Sequence, residues 1–100
     1  MPTAKSRYGV PTRVTGDAQV GATGAIHVWG VLLISGAAAA STLALFNSAD
    51  GSGTSRLDFA KPTGQCELFD FSDVGGVPFP TALYANIGGA GAIAYIWFEQ

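Results

Sequence analysis

Charge is what this sequence has least of: 12% of its 100 residues are Asp, Glu, Lys or Arg, where soluble domains carry roughly 25%. A surface so poor in charge is neutral and weakly solvated, and it suits a protein packed against neighbours. Cysteine is nearly absent as well. The single Cys66 excludes an intramolecular disulfide and a four-cysteine zinc site. In "CELFDF" it reads as a small buried hydrophobe, with a reactive thiol as the other reading. Histidine also occurs once, as His27, 39 residues from the cysteine, so the clustered ligands of a metal site are missing.

Catalysis finds as little to work with. A serine or cysteine nucleophile needs a general base, and no G-x-S-x-G elbow is present. The stretch "GSGTSR" imitates a phosphate loop, but no lysine follows it and no βα unit surrounds it. Asp50 opens "DGSGTSRLD", which lacks the alternating carboxylates and terminal glutamate of a calcium loop. Glu67, Asp70 and Asp73 read as the solubilising face and turn of one strand. No enzyme and no cofactor are expected. The net charge is −2, with Lys5, Arg7 and Arg13 gathered near the N-terminus. That balance argues against nucleic acid as the main partner, because phosphate binding needs a positive field.

What the chain does have is apolar length. From Ala18 to Ala49 it runs 32 residues without a formal charge, more than the roughly 20 that a membrane-spanning helix needs. With the uncharged run from Val74 to Phe98 it would make a two-span hairpin of the kind found in membrane-permeabilising proteins. The strongly apolar residues between Ile26 and Phe46 are together worth roughly −3 to −5 kcal/mol on an insertion scale. His27, Gly30, Ser35, Gly36, Ser41 and Thr42 erode most of that. The second run carries Pro78, Pro80, Asn86 and five glycines, which a lipid-exposed helix tolerates badly. A signal peptide reading, with "AIHVWGVLLI" as its apolar core and "SGAAAAS" as its cleavage region, is opposed by Asp17 and by the unstapled remainder of about 60 residues it would leave.

Strands explain more. Runs at 26–34, 41–46, 55–60, 66–71, 81–87 and 92–98 are separated by "SGAAAA", "NSADGSGT", "KPTGQ", "SDVGGVPFP" and "GGAG". Short runs at this spacing, broken by Gly, Asn and Pro, predict a small antiparallel all-β sandwich, jelly-roll or Ig-like, of about six to eight strands. In "SRLDFA", Leu57 and Phe59 alternate with Arg56 and Asp58, one face dry and one wet. In "CELFDF", Phe69 and Phe71 oppose Cys66, Leu68 and Asp70, as for a strand near an edge. The run "IHVWGVLLI" is apolar on both faces. Simple alternation puts Ile26, Val28, Leu32 and Ile34 on one side and Trp29, Val31 and Leu33 on the other, and the second side calls for a neighbouring subunit. The four alanines at 37–40 are too few for a helix and read as a turn or a tightly packed strand start. "TALYANI" and "AIAYIWF" around "GGAG" predict a final hairpin, with Tyr95 and Trp97 either anchoring the core or facing an interface.

Residues 1–25 have no helical period and are interrupted by Pro, Thr and Gly. They read as an N-terminal arm, either a disordered tail or a segment ordered against a partner, ahead of a sandwich domain at 26–100. The opening "VPTRVTGDAQVGATGAIHVWGVLLISG" and the closing "VPFPTALYANIGGAGAIAYIWFEQ" resemble the small virion structural proteins of tailed bacteriophages, especially those of aquatic and cyanobacterial hosts. The likeness lies in strand spacing, the "G-V-x-x-x-S-G" opening strand and the "F-P-x-x-L-Y" entry to the last hairpin. It implies a non-enzymatic β-sandwich that decorates or cements the capsid surface, binds the major capsid or other virion proteins, and forms a homo-oligomer. The partner-binding residues would be Lys5, Arg7, Tyr8 and Arg13 on the arm and Trp29, Val31 and Leu33 on the first strand. The alternatives are a tail or tail-adaptor module with a receptor- or glycan-binding role, and the two-span membrane protein.

Overall fold

Alternating apolar residues bounded by glycine and proline favour strands that bury one face, and that is what the chain forms. The structure, a computed structural model, describes residues 10–100. It contains nine strands: β1 (Thr12–Val14), β2 (Ala18–Val20), β3 (Ile26–Ile34), β4 (Ser41–Phe46), β5 (Ser55–Lys61), β6 (Cys66–Asp70), β7 (Val77–Phe79), β8 (Leu83–Gly88) and β9 (Ile93–Glu99). Pairing is antiparallel throughout and nested. β4 pairs with β5, β3 with β6 and β7, β2 with β8, and β1 with β9. The chain is thus one long hairpin doubled over on itself, and two further pairings, β3 with β9 in one sheet and β4 with β8 in the other, complete the two layers. The resulting orders, β1-β9-β3-β6 with β7 also on β3, and β2-β8-β4-β5, are those of a double-sheet jelly roll.

The core lies between the sheets. Val28, Val31, Leu33 and Ile96 from the first sheet meet Leu43, Leu45, Leu83 and Ala85 from the second, all at 1% exposure or less. On one side of the sandwich the edge strands β5 and β6 come together. Phe59 packs there against Phe69 at 4.6 Å and Phe71 at 6.2 Å between ring centroids, and Lys61 Nζ reaches Glu67 Oε1 at 2.9 Å.

The strand reading of Ile26–Phe46 holds over its membrane-span alternative: the stretch forms β3, a loop and β4, and among the described residues no helix is long and apolar enough to cross a membrane. Other expectations are corrected. The boundary at residue 26 fails, because β1 and β2 belong to the two sheets and bury Val14 and Val20 in the core. A three-residue strand is too short to show alternation, so both were hidden in the presumed arm. The "GGAG" turn exists, with Gly89 and Gly91 at positive φ, yet it is not a hairpin, since β8 and β9 lie in different sheets. It carries the chain from one layer to the other. The loop at 36–40 packs directly on it: a β-carbon at Gly36 would collide with the Ala90 carbonyl oxygen, and one at Gly89 with that of Ala40.

The register of β3 brings the largest change. His27 pairs with Glu99 and Val28 with Phe98, but the next pair is Gly30 with Trp97. Trp29 is the extra residue of a β-bulge, and such an insertion reverses which side every later residue faces. The core face of β3 is therefore Ile26, Val28, Val31 and Leu33, while His27, Leu32 and Ile34 turn outward.

Candidate binding face on the outer side of one sheet

The bulge decides what the β1-β9-β3-β6 sheet shows to the outside. Cross-strand partners share a face, so the register yields rows. Arg13, Tyr95, Leu32 and Leu68 form one row across β1, β9, β3 and β6. Beyond it on one side lie Ile93, Ile34 and Cys66, and on the other Trp97, Gly30 and Asp70. Leu68 is 58% exposed, and Leu32, Ile34, Ile93, Tyr95 and Trp97 are half-buried. The result is a stripe of large apolar side chains on the outside of the sandwich. The outer face of the other sheet presents Thr42, Ala44, Asp58, Ala60 and Asn86 over most of its area, with the half-buried pair Phe46 and Tyr84 at one end.

At the Gly30 row the stripe is notched. Glycine leaves no side chain between Trp97 and Asp70, and a recess of about 170 Å³ opens there, lined by Gly30, Leu68, Asp70 and Trp97. A β-carbon on Gly30 would meet the Phe69 carbonyl oxygen at 3.4 Å and the Trp97 ring at 3.6 Å, ordinary contacts, so the recess is open space above the backbone. Asp70 also ends β6: its Oδ1 accepts from the Ser72 backbone N–H at 2.9 Å and from the Ser72 hydroxyl, which turns the chain into a short 3₁₀ segment at Ser72–Val74. Further along, Trp29 Nε1 donates to Glu99 Oε1 at 3.1 Å, and its ring stacks on His27 with centroids 6.3 Å apart. Gly76, at φ 84°, lies against the Trp29 ring, where a β-carbon would come within 3.2 Å. The Phe71 N–H donates to the Trp29 carbonyl at 2.9 Å, so the bulge is held on both sides.

The predicted partner-binding residues are distributed unevenly over this geometry. Lys5, Arg7 and Tyr8 lie outside the described residues. Arg13 is exposed on β1 and joins the stripe beside Tyr95. Trp29 is half-buried at the same face. Val31 and Leu33 are not surface residues: both are at 0% exposure in the core, placed there by the bulge. Cys66 is exposed rather than buried, because β6 is an edge strand with Cys66, Leu68 and Asp70 outward. Sequence reasoning passed over Leu32, Ile34 and Gly30 as surface features, since they change sides only once the bulge is known. Ile93, Tyr95 and Trp97 were readable as one face from their spacing.

Among the described residues no group of three or more His, Cys, Asp or Glu side chains is gathered as a metal site would require. The Asp50 carboxyl is held below its ordinary value by hydrogen bonds from the Ser52 side chain and backbone, the Ser52 N–H lying at 3.0 Å, a local turn contact in the β4–β5 loop. Set against known proteins, the chain matches no family model, no curated protein and no solved structure.

Proposed function

We propose that this jelly roll is a non-enzymatic structural protein of a virion, a decoration or cement module on the capsid surface, and that it binds its assembly through the outer face of the β1-β9-β3-β6 sheet. The observation that carries the reading is the apolar stripe of Leu32, Ile34, Leu68, Ile93, Tyr95 and Trp97, which runs across all four strands of its sheet, whereas the opposite face carries large apolar side chains only at the Phe46–Tyr84 end. Exposed apolar surface of this extent marks a contact site. Size adds to the argument. Strands of three, seven, nine and five residues, about 4.8 Å apart, cover about 400 Å² per subunit, roughly 800 Å² with a partner, less than the roughly 1,200 Å² at which stable binary interfaces begin. A contact of that scale is weak singly and becomes strong when many copies bind one particle, which is how a decoration protein works. The low overall charge and the resemblance to small phage virion proteins point the same way.

The test is to purify particles by density gradient from the culture carrying the gene and to measure the chain by mass spectrometry. Tens of copies or more per particle are expected. Recovery only in the non-particle fraction would refute the proposal. Leu32→Glu should remove the chain from the particles, and Asn86→Glu, on the other outer face, should leave it bound.

A further inference from the structure

The loop between β4 and β5 frames a larger cavity than the recess over Gly30. At about 420 Å³ it falls within the roughly 300–1,000 Å³ of small-molecule sites. It is lined by Asn47, Ser52, Gly53, Thr54, Ser55 and Arg56, largely the "GSGTSR" stretch whose sequence imitates a phosphate loop. The loop is pinned from within. The Gly51 N–H donates to Ser48 Oγ at 2.9 Å and the Ser52 N–H to Asp50 Oδ1 at 3.0 Å, and Gly51 lies on the Tyr84 ring, where a β-carbon would come within 2.9 Å. A site held in shape this way loses little conformational freedom when a ligand enters.

The backbone brings Arg56 to this cavity. Leu45 pairs with Leu57 and Phe46 with Ser55, so Arg56 is the extra residue of a β-bulge, a device that re-aims a side chain. Its guanidinium carbon stands 5.7 Å from the centroid of the Phe79 ring, and among the described residues it makes no ion pair. The carboxylates nearest to it in sequence are held by serines instead. Asp50 accepts from the Ser52 side chain and backbone, and Asp58 accepts from the Ser55 hydroxyl at 2.8 and 2.9 Å. A planar fork of N–H donors is left for a group from outside.

The rest of the lining narrows the ligand. A hydroxyl that donates to a carboxylate keeps its lone pairs, so Ser52 and Ser55 line the cavity as acceptors. Asn47 is the reverse: its Oδ1 accepts from the Thr81 N–H at 2.8 Å, which leaves its amide N–H groups to donate. Thr54 serves either way. Phosphate and sulfate are chiefly acceptors, match the serine oxygens poorly, and bring more than one negative charge beside Asp50 and Asp58. A sugar acid carries a single carboxylate, which matches the arginine fork bidentately, and hydroxyls that donate and accept at once. We infer that the β4–β5 loop is a binding site for a sugar acid, a uronate or a sialate, with its carboxylate on Arg56 and its hydroxyls on Asn47, Ser52, Thr54 and Ser55. The site belongs to the β2-β8-β4-β5 layer, the other layer from the apolar stripe, and it goes beyond the virion reading without depending on it.

The test is a titration of the full-length, nitrogen-15-labelled protein, at fixed pH and ionic strength, with glucuronate, N-acetylneuraminate, glucose and inorganic phosphate, followed by two-dimensional NMR. At least one of the two acids should shift the amides of the β4–β5 loop in a saturable way. Glucose, which lacks the charged group, should bind about tenfold more weakly, and phosphate should be weaker than the better acid. Arg56→Gln should weaken that acid about tenfold while glucose is unchanged, and Arg56→Lys, which keeps the charge and loses the fork, should fall between. Loop amides that move with neither acid would overturn the inference. So would glucose or phosphate binding as tightly as the better acid, a comparison made on the wild-type chain and independent of how the variants fold. Undiminished acid binding by folded Arg56→Gln would do the same.

Discussion

Val20→Ala distinguishes a sandwich that begins at residue 12 from one that begins at residue 26. Val20 is 1% exposed on a strand of three residues, opposite Leu83. The substitution removes two buried carbon groups, each worth about 0.8 kcal/mol, and leaves a cavity that the surrounding strands fill only in part, so the expected loss is about 2–3 kcal/mol. Two contacts keep β2 from escaping that cost by fraying. Its ladder to β8 pairs Ala18, Gln19 and Val20 with Ala85, Tyr84 and Leu83, and the Ile87 N–H donates to Asp17 Oδ1 at 2.9 Å just before the strand. For a domain of this size the loss corresponds to a fall in Tm of about 10–20 °C. The assay is urea unfolding followed by tryptophan fluorescence, with a lowered midpoint and an unchanged slope as the signature of lost stability. Val10→Ala, at a position 98% exposed, is the control and should stay within about 0.5 kcal/mol of wild type. If Val20→Ala behaves like Val10→Ala, residues 10–25 are an accessory arm after all and the strand assignments of β1 and β2 are wrong.

Gly89→Ala should cost about 3 kcal/mol or more, because Gly89 sits at φ 106° and any β-carbon there meets the Ala40 carbonyl; a thermal melt within a few degrees of wild type would show that the two loops do not touch. Asp50 should titrate below its ordinary value of 3.8, as read by NMR. Because its folded pKa is depressed, its contribution to the loop is complete above the unfolded value and is lost as the pH falls through the folded one. Ser52→Ala should raise the midpoint part of the way, since the backbone N–H at 52 remains, and an unmoved midpoint would remove the Ser52 hydroxyl as a cause.

The sequence was most informative where a strand is long and simply patterned. The run at 26–34 coincides with β3 and that at 41–46 with β4, since β-branched and aromatic residues bounded by Gly and Asn leave little else. Leu57 and Phe59 alternate as expected in β5. Layering was harder, because pairing between distant strands is a property of the closed sandwich: nothing local in "GGAG" says whether the chain turns back within a sheet or crosses to the other. The candidate face suffered most from a single residue. Trp29 as a bulge moves Val31 and Leu33 inward and Leu32 and Ile34 outward. Because the run is apolar on every position that matters, either phase satisfies the pattern. What holds the observed phase is tertiary: Glu99 accepts from the Trp29 side-chain N–H and the Phe71 N–H donates to the Trp29 carbonyl.

The edges of the two sheets give a separate reason for association to proceed through a face. An exposed edge strand invites another chain to pair with it unless it is short, charged, bulged or interrupted by proline. Each edge here has at least one such device. β1 and β2 are three residues long. β7 carries Pro78. β6 carries Glu67 and Asp70, with Glu67 tied to Lys61. β5 carries Arg56, Asp58 and Lys61, and its register against β4 skips Arg56, since Leu45 pairs with Leu57 and Phe46 with Ser55. Arg56 leans instead over the Phe79 ring, 5.7 Å from its centroid. With strand addition disfavoured at each edge, the proposed contact falls to a sheet face, and the apolar stripe is the broader apolar surface of the two, the other face having only Phe46 and Tyr84. The contact it offers is side chain against side chain, and a charge placed at Leu32 acts on it directly without disturbing a backbone ladder.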